Sequence, residues 1–205
     1  MRIDEELRRD VATAVRAIEQ GSAAEVVVTI VPRSSGHWEV SLWAALAAAF
    51  LVQAGAALLA PDTRAPHLAL DSALLALAAA WLVRRVPALE RRLLPARVAA
   101  HRVELGAESA FCRQGIFRTR GHTGVLVYLS VLERRAVLLP DDALVQALPP
   151  DALAALRDQA DRLFAGGAPR QALLALLDQL RRLAARHLPA GPADANELPD
   201  EPVTG

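Results

Sequence analysis

The side chains able to do chemistry fall in a few places along the chain. Asp141 and Asp142 are adjacent carboxylates just beyond an apolar run that ends at Pro140. Two acids at a strand end suit a hard cation, Ca²⁺ or Mg²⁺, because such ions take carboxylate oxygens as ligands. Pro-Asp-Asp equally suits a helix start, with an acid capping the segment toward Leu148. Upstream, Arg118, Arg120 and Thr123 could hold a phosphate through guanidinium forks and loop amides. A basic loop lying near anionic lipid is the alternative. A metal-assisted phosphatase would use both groups, with Asp141 or Asp142 on the cation and Arg118 or Arg120 on the phosphoryl oxygens. Gln53 and Asp71 are polar residues within long apolar segments. Asp71 reads either as an ion or proton site or as a solvated acid at the outer interface, with Gln53 at similar depth to share a hydrogen bond.

Other reaction types find little to work with. Cys112 is the single cysteine, which excludes an internal disulfide, and a lone cysteine on a helix is ordinarily a small hydrophobe. His37, His67, His101, His122 and His187 are scattered, with no His-x-x-x-His pair and no Gly-x-Ser-x-Gly elbow. Of these only His122 falls in a candidate site. The chain has no lysine, so a Schiff base or a Walker lysine is excluded. A formal net charge of zero offers no field to attract nucleic acid.

The elements that must position these residues are organised around two apolar arms, 40–60 and 68–84, separated by the hydrophilic turn Pro61-Asp62-Thr63-Arg64-Ala65-Pro66. Residues 40–60 carry no charge and reach roughly 30 Å as a helix, the thickness of a bilayer core. A transmembrane hairpin over 40–85 follows, and it puts both flanks on one side. Arg33 before it and Arg84, Arg85, Arg91, Arg92 and Arg97 after it, against Arg64 alone in the turn, place the flanks in the cytoplasm of a cell-membrane protein. The arginines nearest the membrane should face lipid headgroups. Small-residue stripes, Ala45, Ala49, Gln53, Ala57 on one arm and Ser72, Ala76, Ala80 on the other, would let the arms approach closely. No signal-peptide pattern opens the chain, whose start is charged.

In the flanks, Asp4 is placed to cap a helix in which Ile3, Leu7, Val11, Val15 and Ile18 recur at helical spacing before Gly21. The β-branched run Val26 to Val31 lacks alternation, as a strand buried on both faces should. After the hairpin the pattern predicts a helix from Pro95 to about Arg113, stopped at Gly115, then strands over Gly124–Ser130 and Ala136–Leu139. A turn at Leu132-Glu133-Arg134 joins them into an antiparallel pair. Helices are predicted over 151–165 and 169–187, and the Pro- and acid-rich tail from 190 to 205 should be disordered. The fold class is α/β, with residues 1–39 and 86–189 forming one domain around a small mixed sheet covered by helices. The hairpin is an insertion into it.

Ala24-Glu25-Val26-Val27-Val28, the run Arg118 to Val127, Ser130 through Glu133-Arg134, and Asn196-Glu197-Leu198-Pro199-Asp200, in this order around a hairpin, resemble the TPM-domain family. They resemble most its bacterial membrane subgroup, whose domain is split by a transmembrane hairpin. The resemblance implies an α/β/α sandwich, the label phosphatase-like, and in some relatives a divalent cation held by acids near the sheet's end; other relatives are accessory factors of membrane complexes. The subgroup follows its third strand with an acid and then a glycine, whereas here Asp141-Asp142 leads to Ala143. Two expectations follow: a membrane-tethered interaction module that binds another membrane protein, or a cation-dependent phosphatase-like hydrolase.

Overall fold

A computed structural model describes residues 4–34, 38–59, 65–191, 198 and 201–204. Ile3, His37, the hairpin turn at 61–64 and tail residues 196, 197, 199 and 200 lie outside them. The chain forms two compact units, one of Met1–Ser35 with Ala100–Gly205 and the other of Gly36–Ala99.

In the first unit, α1 (Glu5–Glu19) starts where Asp4 accepts a hydrogen bond from the Leu7 amide at 2.8 Å, with Glu5 and Glu6 in its first turn. Leu7, Val11, Val15 and Ile18 line its buried face. Strand β1 (Glu25–Val31) is buried along nearly its whole length, and so is β2 (Gly124–Ser130). These are the central strands of a sheet ordered β3 (Arg135–Pro140), β2, β1 and β4 (Val203–Thr204), and a strand with helices on both faces needs apolar side chains at odd and even positions alike. β1 pairs β2 in parallel with Val26 opposite Val125 and Ile30 opposite Leu129. β3 (Arg135–Pro140) runs antiparallel to β2 through a turn in which Arg134 takes a φ of 52°.

Helices sandwich this sheet. On one face α1, α7 (Pro150–Asp161) and α8 (Pro169–His187) bury Val15, Leu156, Leu176 and Leu177 against Val26, Val28, Val125 and Val127. On the other, α5 (Ala96–Arg113) lays Val103, Ala107 and Ala110 over Val27, Leu126 and Tyr128. Each fully buried aliphatic contributes about 1.5–3 kcal/mol, so the two layers hold the sheet mainly by area. Polar ties add direction: Gln114 Nε2 donates to Thr29 Oγ1 at 2.9 Å, linking the end of α5 to β1. The Glu133 carboxylate accepts from the Ser130 hydroxyl and from the Ser34 amide, so the turn after β2 is fastened to the chain leaving β1.

Two expectations are corrected here. The tail, expected to be disordered, supplies the two-residue strand β4 (Val203–Thr204), paired in parallel with Thr29 and Ile30. Leu198 packs against the α5 side of the sheet and its amide donates to Glu25 at 3.2 Å. The open edge of β1 offers backbone partners that composition cannot reveal. The other correction concerns α7, which ends at Asp161 rather than Ala165: beyond it the chain tightens into turns, with the Leu163 amide donating to the Ala160 carbonyl at 3.0 Å and the Ala165 amide to the Arg162 carbonyl at 2.8 Å.

The second unit contains α2 (Trp38–Leu59) and α3 (Ala65–Arg85), followed by a short helix, α4 (Pro87–Leu93). Pro87 opens α4, whose missing amide hydrogen costs nothing in a first turn. Val40, Val83, Leu94 and Ala99 form the small core of this unit. Between the arms, Ala45, Ala49, Ser72, Ala76 and Ala80 are partly or fully buried, while Gln53 and Ala57 of the expected stripe are exposed.

Gly124 has little room for a side chain. A Cβ there would lie 2.5 Å from Ile116 Cγ2 and 2.7 Å from the Ile116 carbonyl oxygen, which is backbone and cannot step aside. Gly124→Ala should destabilise the unit by about 1–3 kcal/mol, the usual cost of overpacking. Gly166→Ala, where a Cβ meets nothing within 4 Å, is the control and should leave the thermal midpoint unchanged.

Candidate functional site

The sheet brings the Arg118–Thr123 loop and Asp141 to the same end of β2. Gly115, at a φ of 68°, ends α5 and opens a 3₁₀ turn over Ile116–Arg118. The His122 amide then donates to the Thr119 carbonyl at 3.1 Å, and His122 itself adopts a φ of 51°. Two backbone bonds fasten this loop to the end of β3: Asp141 N to Gly124 O at 2.8 Å, and Ala143 N to His122 O at 3.1 Å. His122 and Asp141 therefore face each other, with Nδ1 3.4 Å from Oδ2. That separation makes an ion pair when the imidazole is protonated, but it falls outside hydrogen-bond geometry, and Oδ2 is buried without a hydrogen-bond partner.

The remaining candidates are disposed differently. Asp141 Oδ1 accepts from the Asp142 amide at 2.9 Å, and Asp141 is the N-cap of α6 (Asp142–Ala147). Asp142 is exposed in the first turn of that helix, where negative charge meets the positive end of the helix dipole. Arg118 is exposed and lies over the Phe117 ring at 5.3 Å. Arg120 is exposed as well. Thr123 is buried, and its side chain lies close against the backbone at Gly121.

This donor set does not fit the divalent cation that the resemblance implies. Ca²⁺ takes about 6 to 8 oxygens, and Mg²⁺ demands a near-octahedral set. Here one oxygen of Asp141 is engaged by a backbone amide, Asp142 faces solvent, and no group of three or more Asp, Glu, His or Cys gathers among the described residues. Adjacent acids at a helix start point apart, because the first is the cap and the second is already in the helix.

In the hairpin unit the expected partnership of Gln53 with Asp71 is replaced. Gln53 Nε2 instead reaches Ser72 Oγ at 3.5 Å, a long contact, while the Ser72 hydroxyl donates to Ala69 O at 2.9 Å. Asp71 is exposed. Cys112 is exposed near the end of α5, so it is not the buried small hydrophobe expected.

The sequence reading missed a groove of about 470 Å³ between α1 and α8, lined by Asp10, Ala14, Leu174, Leu177 and Asp178 among others. It is bordered by ion pairs. Arg170 bridges Glu6 at 3.0 Å and Asp10 at 2.5 Å, and these hydrogen bonds, Glu6 first, hold its guanidinium above the ordinary arginine range. Asp178 accepts from Arg181 and Arg182. The Arg181 hydrogen bond is the largest influence, and despite some opposing desolvation the carboxyl is held below the ordinary aspartate range. Such i, i+3 and i, i+4 pairs are legible in the sequence, but the groove depends on how two helices separated by the whole chain come together.

No family model matches the chain, and no curated protein matches it. Among solved structures, it is similar to the BA42 protein of the psychrophilic bacterium Bizionia argentinensis, determined by NMR. The TM-score is 0.61 at 15% identity, covering 100% of this chain and 97% of that one. The likeness is one of fold.

Calorimetric titration of the detergent-solubilised protein with Ca²⁺ or Mg²⁺ should give no saturable heat that Asp141→Ala, Asp142→Ala removes. Asp178 gives a pH test. A carboxyl whose folded pKa is depressed adds stability above its unfolded value, and loses it as pH falls through the lower folded value. The thermal midpoint of wild type should therefore exceed that of Asp178→Asn while the carboxylate is charged, and the margin should shrink as pH falls below the ordinary aspartate range.

Proposed function

We propose that this chain is an integral membrane protein of the TPM-like type, in which a transmembrane hairpin displays an α/β module that works by binding another membrane protein. One observation carries the membrane reading. Trp38–Leu59 and His67–Arg85 are long and apolar enough to span a bilayer, and their outward side chains are large and hydrophobic. Phe50 is 70% exposed, Leu58 82% and Leu77 68%. A contiguous apolar surface of this kind needs a lipid or protein cover. The fold shared with BA42 and the family-like motifs placed on β1, β2 and the turn after it support the module's type. The arginine asymmetry supports flanks in the cytoplasm and the turn outside.

Binding, rather than hydrolysis, is favoured by the arrangement around β2. The acids cap a helix, Thr123 is turned inward, and Phe117 and Val145 are 40% and 41% exposed on the fastened loop and on α6. Exposed apolar side chains flanked by Arg118 and Asp142 have the composition of a protein-binding surface with a polar rim.

Alkaline carbonate washing should leave the protein in the membrane pellet. Cys112, single and exposed, reports topology without any introduced residue. A membrane-impermeant maleimide should label it only after the cells are opened. Release by carbonate would overturn the spanning hairpin, and labelling in intact cells would overturn the orientation.

A further inference from the structure

Between α3 and the start of α5 the sequence carries Arg84, Arg85, Arg91, Arg92 and Arg97 with a single acid among them, Glu90. Folding separates the two signs. All five arginines are exposed, whereas Glu90 is only 3% exposed. The separation follows from α4: Leu89 packs against the Val40, Val83, Leu94 and Ala99 core, which turns the neighbouring acid inward and leaves Arg91 and Arg92 in solvent. Glu39, in the first turn of α2, is half-buried, with Oε2 shielded from solvent. Five exposed arginines thus fall between positions 84 and 97, around a single acid that is buried.

Apolar side chains are interleaved with these cations. Trp81 is 60% exposed with the Arg85 guanidinium 5.6 Å from its ring centre, and Leu93 is 47% exposed beside Arg92. The other tryptophans, Trp38 and Trp43, are exposed in the first turns of α2. Indole rings favour the headgroup level of a bilayer, and guanidinium forks match the oxygens of a phosphate. A free anion would have no use for the exposed apolar side chains, while a phospholipid satisfies both.

We propose that this arginine collar is a binding site for anionic phospholipids, selecting headgroups of net negative charge over zwitterionic ones. The proposal rests on the membrane reading of the hairpin and specifies its lipid. In a zwitterionic headgroup the attached ammonium offsets the phosphate, so discrimination comes from uncompensated charge. At about 1 kcal/mol per arginine near the surface, each side chain engaged is worth roughly fivefold in relative affinity.

Trp81 can report on it. In a Trp38→Phe, Trp43→Phe background it is the only tryptophan left of three. The protein is reconstituted in phosphatidylcholine vesicles, and quenching is compared between brominated phosphatidylglycerol and brominated phosphatidylcholine. The expected result is a preference for the anionic lipid of about fivefold or more, reduced by added salt. Arg84→Gln, Arg85→Gln, Arg91→Gln, Arg92→Gln, Arg97→Gln, with its helicity checked by circular dichroism, should bring the ratio near one. Equal quenching by both lipids in the unsubstituted collar overturns the proposal and leaves the spanning hairpin standing. No quenching by either overturns both. If inorganic phosphate at constant ionic strength abolishes the preference, the site belongs to the free anion and the lipid assignment fails.

Discussion

The parallel pairing of β1 with β2 is the constraint on which the architecture depends. Parallel neighbours cannot be joined by a tight turn, because the chain must return to its starting end before the second strand begins. That return is unusually long here. It contains α2, α3, α4 and α5, and α5 covers one face of the sheet. A return of this kind tolerates an insertion that comes back to where it left, and an antiparallel helical pair does so by construction. The strand register and the apolar arms are thus compatible for geometric reasons, with no need for one to be adapted to the other.

The same constraint explains the distribution of polar interactions. Glu133 holds the carboxyl ends of β1 and β2 together through Ser34 and Ser130, and at the opposite end the loop before β2 is fastened to the end of β3 by backbone bonds. Asp141 takes part in this fastening through its own amide, and its carboxylate is committed to starting α6. A residue with both tasks is poorly placed to hold a cation as well. The acids near the sheet's end are accounted for by chain continuity, and the unsatisfied Oδ2 beside His122 is what that geometry leaves over.

Much of this was legible in the residues. The unbroken β-branched run of β1 announced a strand with two buried faces, Asp4 announced a helix start, and the chargeless run 40–60 announced an apolar arm. What failed had identifiable causes. Gln53 was matched with Asp71 by depth alone, but successive helical residues differ by about 100° in direction, so Ser72 rather than its neighbour faces across. Helix α4, seven residues long, is too short for a periodic signal. The tail's Pro and acid content described its average and missed Val203 and Thr204, whose pairing is set by a free strand edge. At the candidate site the residue types were right for phosphate or metal chemistry. Their directions were not readable, because capping and a positive φ at His122 decide them.

The pairing of β1 also orders events during synthesis. β1 is made early, yet its neighbour β2 follows only after both apolar arms have emerged, a delay on the order of ten seconds at ordinary translation rates. Its other neighbour, β4, comes later still. Until α5 is made, a strand with two apolar faces has neither edge paired, and of the helices that cover its faces α1 alone is already present. A nascent chain stalled between the arms and β2 would therefore present β1 as an aggregation-prone edge.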